Sequence, residues 1–599
     1  MHCLPAQWRS PDELPPLTFR SVSLTPWPGY LSFPYRKEDI VLSIDNGRRR
    51  LSTIAVTVCL VAGLGACTSG TTDGIGGTGG KDAASLTMTA GAVTTWARNF
   101  NIYSPASDKS PAPRLLFEPL VRVDYTRGAK VDPWLAKSFD WNSKGTELTF
   151  HLRTDVAWSD GKKLTADDVV YTLRLMLEHP ELNRAGVTYK KVTKVDGATV
   201  KVTWDHAAYS ELSGFGTGNL DIVPRHQWAG KDLKTWTNNN PVGTGPYTLG
   251  GFSSQQVTYK ARNDYWGARV AVPTIKVPAL LGDATKPKML TGELDLATSA
   301  WADADKDFVA KNPKTNVYAV YATGGSTALY FNNAVAPYDD VHVRRALSAA
   351  VDAQKMLSLN NTGQAPANIT GLDEQAYGDV IADEYRGKVN QQDIALAQRE
   401  LKAGGYTVKD GKLVKGGKSY PLELKIVQEY ANWQAYARGF ADQAKKALGL
   451  NVKVTPVQSS SFDPEVNEGD YGMAFNYAGS GTGVYNSYSA MLDSSYAKPI
   501  GKNSNFDNTE RWKDPQTDRL LDQLRATDDP ARIKEISAKL EKIVAEQVPL
   551  RPLFQSVWFM DINTSRWKGW PKPGTDGYIP HFMNGPDFTL TLQHLKPAE

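Results

Sequence analysis

The sequence predicts a mixed α/β protein of more than one domain, and three observations carry that reading. Stretches of period-two alternation are interleaved with capped stretches of helical period. The part of the chain able to fold, about 515 residues, is too long for one hydrophobic core and should divide into two or three domains. Beyond residue 85 there is no internal repeat and no low-complexity tract, which argues against a solenoid or a fibrous architecture.

Taken in order, residues 1–40 are proline-rich without an apolar period. They are expected to be an over-extended gene start, with translation beginning near Val41 or Leu42. Arg48, Arg49 and Arg50 then make a positive segment ahead of the charge-free run 51–66. That run is short for a membrane span, which needs about 20 apolar residues, and residues 41–66 read as a secretion signal. Leu64-Gly65-Ala66-Cys67 resembles the bacterial lipobox. The resemblance implies cleavage before Cys67 and a diacylglycerol on its thiol. Residues 67–85, mostly Gly, Thr and Ser, follow as a lipid-anchored flexible linker. Its 18 residues after the cysteine reach roughly 23 Å as a coil.

Cysteine use and charge agree with export. Cys3 and Cys59 leave with the leader and Cys67 is the expected lipid site, so the folded body carries no thiol or disulfide. The whole chain has a net charge of +4, and removing residues 1–66 leaves 61 basic against 59 acidic residues. So balanced a surface has no electrostatic footprint for nucleic acid.

Residues 146–161 alternate and then turn at Asp160-Gly161, as a strand does. Thr165 with Asp168 makes a capping box ahead of Val169, Leu173 and Met176, and Pro180 ends that helix. Residues 192–204 predict a hairpin across Asp196-Gly197. Residues 247–261 predict a strand pair. Residues 338–357 predict one helix with acids at its positive end, and 531–549 an amphipathic helix stopped by Pro549. The C-terminal FTLTLQHL has a strand-like alternation.

Six blocks in a characteristic order then identify a relationship. They are DPWLAKSFDWNSKGTELTFHLRTDVAWSDGKKLTADDVVYTL, PVGTGPYTLGGFSSQQVTYKARNDYW, LTGELDLA, LYFNNAVAPYDDVHVRRALSAAVD, AQRELKAGGY and IVAEQVPLRPLF. Together they resemble the extracytoplasmic solute-binding proteins of ABC importers, in the subgroup for oligopeptides, dipeptides, nickel chelates and oligosaccharides (solute-binding protein family 5). The resemblance covers residues 86–595. It implies a two-lobed fold of the periplasmic-binding-protein type II kind, with an extra small domain and a hinge between the lobes. The expected divisions are domain I at 86–130, 240–330 and 556–599, small domain II at 131–239, and domain III at 331–555. Also implied are a solute, separate permease and ATPase partners, and a monomer anchored at the outer face of the bacterial cell membrane.

The chemistry in the residues is sparse. VGTGPY lacks the Lys-Ser/Thr and the following helix of a phosphate loop, and reads as a structural turn near a hinge. Eight scattered histidines give no metal site, no Ser lies in a G-x-S-x-G elbow, and the paired carboxylates sit at helix starts. The expectation is a binding protein with no catalysis, cofactor or metal. For the cargo, peptide-binding members of the family carry an aspartate after a Trp, which captures the peptide's α-ammonium. The matching stretch here, 473–492, has no acid; near Ser480 it offers Ala, Gly, Ser and Thr. A neutral oligosaccharide such as a cello-oligosaccharide is therefore expected, with an oligopeptide or dipeptide as the alternative. A nickel chelate suits less well, because no cluster of cations can be placed in the cleft from sequence. Sugar rings pack on aromatic faces and their hydroxyls need amide partners. Candidate contacts are Asn476, Tyr477, Tyr485, Asn486 and Tyr488 in one segment. Further candidates are Asn99 and Asn101 beside Trp96, then Tyr209, Phe215, Trp301 and Trp433, and the 16 Trp favour ligand contact as a group.

Replacing Cys67 by Ala removes the thiol to be acylated. Fractionation of cells expressing Cys67→Ala should show uncleaved or shed protein, whereas processed, membrane-bound protein would refute the anchor.

Overall fold

Two long strands run side by side through the molecule. Asn316–Phe331 and Leu550–Asn563 pair antiparallel, from Asn316 opposite Asn563 to Tyr330 opposite Leu550. They form the middle of a six-stranded sheet. Leu296–Ala297 pairs with the second strand at one end, while Met473–Ala478, Leu422–Val427 and Val452–Val457 extend the sheet from the first strand at the other. This computed structural model describes residues 85–598, apart from 92, 107, 108, 480 and 506 and the side chain of 283. The gene start, the signal, Cys67 and all of the linker but Ser85 lie outside the described residues.

The two ends of the strand pair serve different cores. Ala319, Tyr321, Met560 and Ile562 pack with Leu86, Phe117, Tyr259 and Phe588. Ala328, Phe331, Leu550 and Phe554 pack instead with Leu347, Phe440 and Phe475. Between these sets the register breaks, from Ala322 to Ser326. Gly324 occupies the break in a left-handed conformation, φ 79°. A ladder interrupted by extra residues bends more readily than a regular one. The molecule is therefore two-lobed, with its hinge in the strand pair.

The first lobe holds two four-stranded sheets. One joins Leu86–Thr87, Thr274–Pro278, Gln256–Ala261 and Tyr247–Phe252; the smaller joins Ala136–Trp141, Glu147–Leu152, Thr199–Thr203 and Lys191–Lys194. In the smaller sheet Leu148, Phe150 and Leu152 alternate inward, as the sequence pattern demands. Helix Ala166–Glu178 covers that sheet with Val169, Leu173 and Met176 buried. The Asp168 carboxylate accepts from the Thr165 N–H at 3.0 Å, which fixes the helix start. The hairpin across Asp196-Gly197 is present, joining the last two strands.

Two segments differ from the local pattern. Residues 338–357 form two helices, Val341–Ala349 and Ala353–Leu357, where one was expected. Asp352 is the cause: its carboxylate accepts from the Lys355 N–H at 3.0 Å and starts a new helix. FTLTLQHL lies in helix Gly585–His594, not in a strand. Pro586 in its first turn presets helical φ, and Asp587 bonds to the buried Arg122 Nε at 2.6 Å. The helix is buried almost all round, so its apolar and threonine residues show no clean period.

The glycines of VGTGPY answer a packing demand within the first lobe. A Cβ at Gly243 would stand 1.8 Å from the Leu116 carbonyl oxygen, and one at Gly245 would stand 2.5 Å from that of Leu115. Backbone cannot yield as a side-chain tip can. Gly243→Ala should therefore cost about 3 kcal/mol, at the upper end for overpacking, read as a lowered denaturation midpoint. An unchanged midpoint would mean that this turn is not built on close approach.

Candidate functional site: the cleft between the lobes

A cavity of about 1030 Å³ opens between the lobes. The first lobe lines it with residues from the segments 126–131 and 209–213, and the second with residues from 375–380, 482–486 and 524–534. Its floor on the second lobe is the turn between strand Met473–Ala478 and helix Val484–Leu492. That turn is pinned to the hinge by glycine. A Cβ on Gly481 (φ 65°) would lie 1.9 Å from the Thr323 carbonyl oxygen, and one on Gly324 would lie 2.9 Å from Gly481 Cα. The Gly483 N–H donates to the buried Tyr377 hydroxyl at 3.1 Å.

Three predicted residues meet at this cavity. Tyr209 is held by Trp141, with ring centroids 5.3 Å apart, and lies flat over Gly145, where a Cβ would come within 2.4 Å of the ring. Tyr485 and Asn486 come from the first turn of the helix beyond the glycine turn. Asn486 Nδ2 donates to Ser213 Oγ at 3.0 Å, so one amide already bridges the two lobes. Arg127 at the rim is paired with Asp124 at 2.6 Å. Asp379 and Asp528 also line the cavity but are exposed and so hydrated. Glu211, beside the wall residues, has its carboxyl pushed up to about 7 by burial.

The scan of protein families matches residues 130–499 to the "Bacterial extracellular solute-binding proteins, family 5 Middle". The chain belongs to that family. Its proteins bind small solutes outside the cytoplasm and work with an ABC permease and ATPase. Protein XP55 of Streptomyces lividans is 28% identical over 71% of this chain and 76% of its own. Di/tripeptide-binding protein 1 of Pseudomonas aeruginosa is 24% identical over 77% and 87%. Among solved structures, an oligopeptide ABC transporter's periplasmic oligopeptide-binding protein from Thermotoga maritima superposes with TM-score 0.76, at 23% identity, over 87% of this chain and all of its own. The same protein with mannohexaose bound gives 0.72, with the same identity and coverage. Among the described residues no helix is long and apolar enough to cross a membrane, and no cluster of potential metal ligands is found.

In this family-5 protein the remaining predicted residues lie elsewhere. Phe215 is fully buried among Phe150, Tyr189 and Trp204. Tyr488 is fully buried, its hydroxyl donating to the Thr370 carbonyl at 3.3 Å. Trp301 packs on Phe308 in a satellite cluster under Lys286. Trp433 is buried in helix Ala431–Leu448, edge-on to Phe475 and 5.2 Å from the exposed ring of Tyr477. Asn476 lies on the strand, its Oδ1 accepting from the Tyr477 N–H. Asn101 is buried, its Nδ2 donating to the Leu233 and Trp236 carbonyls at 2.9 Å, and Asn99 Nδ2 donates to Ser104 Oγ. Both asparagines line a second, smaller pocket on the first lobe. The tryptophan count is accordingly a packing signal: Trp158, Trp228 and Trp567 are among the largest fully buried side chains. Gln375, Tyr377 and the hinge glycines escaped the sequence reading, because their place at the cleft depends on contacts more than a hundred residues away.

Position separates these residues experimentally. Phe215→Ala should cost about 3–5 kcal/mol of stability, as large-to-small core changes do, whereas partly exposed Tyr485→Ala should cost less than half of that. Denaturant unfolding of the two variants is the check, and equal losses would contradict the placement.

Proposed function

We propose that this chain is a lipid-anchored receptor that closes its two lobes on a neutral oligosaccharide and delivers it to an ABC importer, without chemistry of its own. The carrying observation is the cavity wall around the glycine turn. In the described part of that turn no carboxylate is buried to receive an α-ammonium; the acids that line the cavity, Asp379 and Asp528, stand in water, and Glu211 beside the wall accepts from the Thr188 N–H, with burial disfavouring its charged form. An uncompensated buried ammonium would be costly there. The wall offers instead what sugar rings use: the rings of Tyr209 and Tyr485, the amides of Gln375 and Asn486, and the hydroxyls of Ser210, Ser213 and Thr482. The mannohexaose complex of the Thermotoga maritima protein supports the reading, since it places an oligosaccharide in a structure of the same fold.

An oligopeptide is the second reading, favoured by the names of relatives such as the di/tripeptide-binding protein. Within this reading the chain passes from domain I into small domain II near residue 131, returns near 240, crosses into domain III near 331 and crosses back near 556, so that the C-terminal segment returns to the first lobe. Anchoring through Cys67 would hold the receptor near its permease, and two or more acyl chains are what make such an anchor stable.

Calorimetry with mannohexaose, cello-oligosaccharides and tri- to pentapeptides decides the cargo. Oligosaccharide should bind with little dependence on salt, because a neutral ligand has no charge to screen. Asn486→Ala should weaken it about tenfold, the equivalent of one lost buried hydrogen bond. Salt-sensitive peptide binding with inert oligosaccharides would overturn the sugar assignment and leave the transport role standing.

A further inference from the structure

The second pocket lies wholly on the first lobe and encloses about 330 Å³. None of its lining residues belongs to the second lobe, so it is a different site from the interlobe cavity. Three cations converge on it: Lys109 and Arg114 from one segment, and Arg184 from a loop some 70 residues later. Arg114 is buried, and carbonyl oxygens do most of the holding: its Nε and Nη2 both donate to the Gly218 carbonyl, the first at 2.8 Å. Arg184 donates through Nη2 to the Ser104 carbonyl at 3.2 Å, and Lys109 makes no hydrogen bond or ion pair with a described residue. A carbonyl satisfies a donor without cancelling its charge, so the positive field stays available to a ligand.

The acids nearby do not balance these cations. Asp221 lines the pocket with its Oδ2 4.0 Å from Arg114, while its buried Oδ1 has no partner. Burial pushes its carboxyl up, against the pull of Arg114, and so disfavours its charged form. Glu118, the next acid, is engaged by Trp134 and Tyr265 through one oxygen and by Trp266 through the other. Lys109 feels the surplus: burial, then Arg184 and Arg114, lower its ammonium to about 8. The rest of the wall is mixed: Val93, Trp96, Phe100 and Phe582 give it an apolar side, and Asn99, Asn101, Ser110 and Asn219 a polar one. An apolar cavity of about 150 Å³ accommodates benzene, so this space suits a body of roughly twice that size with a charged end.

We propose that the first-lobe pocket binds a small organic carboxylate with an apolar body, its anionic group held by Lys109, Arg184 and Arg114. The inference stands apart from the choice of cargo in the interlobe cavity, which uses other residues.

Calorimetry of the full chain with 3-phenylpropionate, 3-phenylpropan-1-ol and inorganic phosphate tests it. The carboxylate should bind at least tenfold more tightly than the alcohol or phosphate, and its affinity should fall as salt is raised. Lys109→Gln and Arg184→Gln, both outside the core, should each weaken the carboxylate severalfold while leaving oligosaccharide binding by the same preparation unchanged. Unchanged oligosaccharide binding also shows that each variant is folded. Equal binding of carboxylate and alcohol, phosphate binding as tightly as carboxylate, no binding at millimolar concentration, or full affinity in the double variant would each overturn the proposal. Failure of the oligosaccharide arm alone would bear on the cargo and not on this pocket.

Discussion

Everything in this molecule hangs on the antiparallel pairing of Asn316–Phe331 with Leu550–Asn563. One end of this strand pair belongs to one hydrophobic core and the other end to another. A strand buried in a core is stiff, because its side chains are locked by close packing. Between the cores the ladder skips register around Gly324 and Gly325, which are buried but carry no side chain to lock. A skip of this kind localises a bend to a few residues, which suits the hinge that a two-lobed fold requires. Gly481 in the neighbouring turn rests on this same stretch at a distance that excludes a Cβ. The cleft floor and the hinge are therefore in mechanical contact.

The first lobe has a second requirement, because its chain segments arrive from widely separated parts of the sequence. Buried charge does much of the joining. Arg122 contacts Asp587 at 2.6 Å and Asp132 at 2.9 Å, with Asp124 at 3.6 Å, and so locks the C-terminal helix against strand Val121–Asp124. Removing one member of such a cluster leaves the others buried and uncompensated, which is far more damaging than losing a surface pair. Glu118 acts similarly, gathering two indoles and a phenol around one carboxylate. These contacts hold the backbone on which both the cleft wall near Tyr209 and the first-lobe pocket are built.

Much of the local structure was legible in the sequence, because it is governed by local chemistry. The capping box of Thr165 and Asp168, the alternation of residues 147–152 and the hairpin at Asp196-Gly197 follow from residue types a few positions apart, whereas the close packing of Gly243 on Leu116 does not. Six motif blocks in order were enough to place the chain in its family, which the family match over residues 130–499 establishes. The lack of an acid between residues 473 and 492 was equally plain. Where local rules competed, the reading failed: Asp352 outbid helix continuation, and full burial erased the period of Gly585–His594.

Only the tertiary structure could decide which aromatic and amide groups face the cleft. Tyr485 and Tyr488 are three residues apart on one helix, yet one lines the cavity and the other is fully buried. Trp301, Trp433 and Phe215 have the same composition as ligand-stacking groups and serve as packing. The convergence of Lys109, Arg114 and Arg184 was likewise invisible, since it depends on a turn of one segment meeting a loop some 70 residues later. A sequence pattern tells which side of an element is apolar. What that side meets, and which polar groups end up together in a dry place, is settled by packing between elements far apart in the chain.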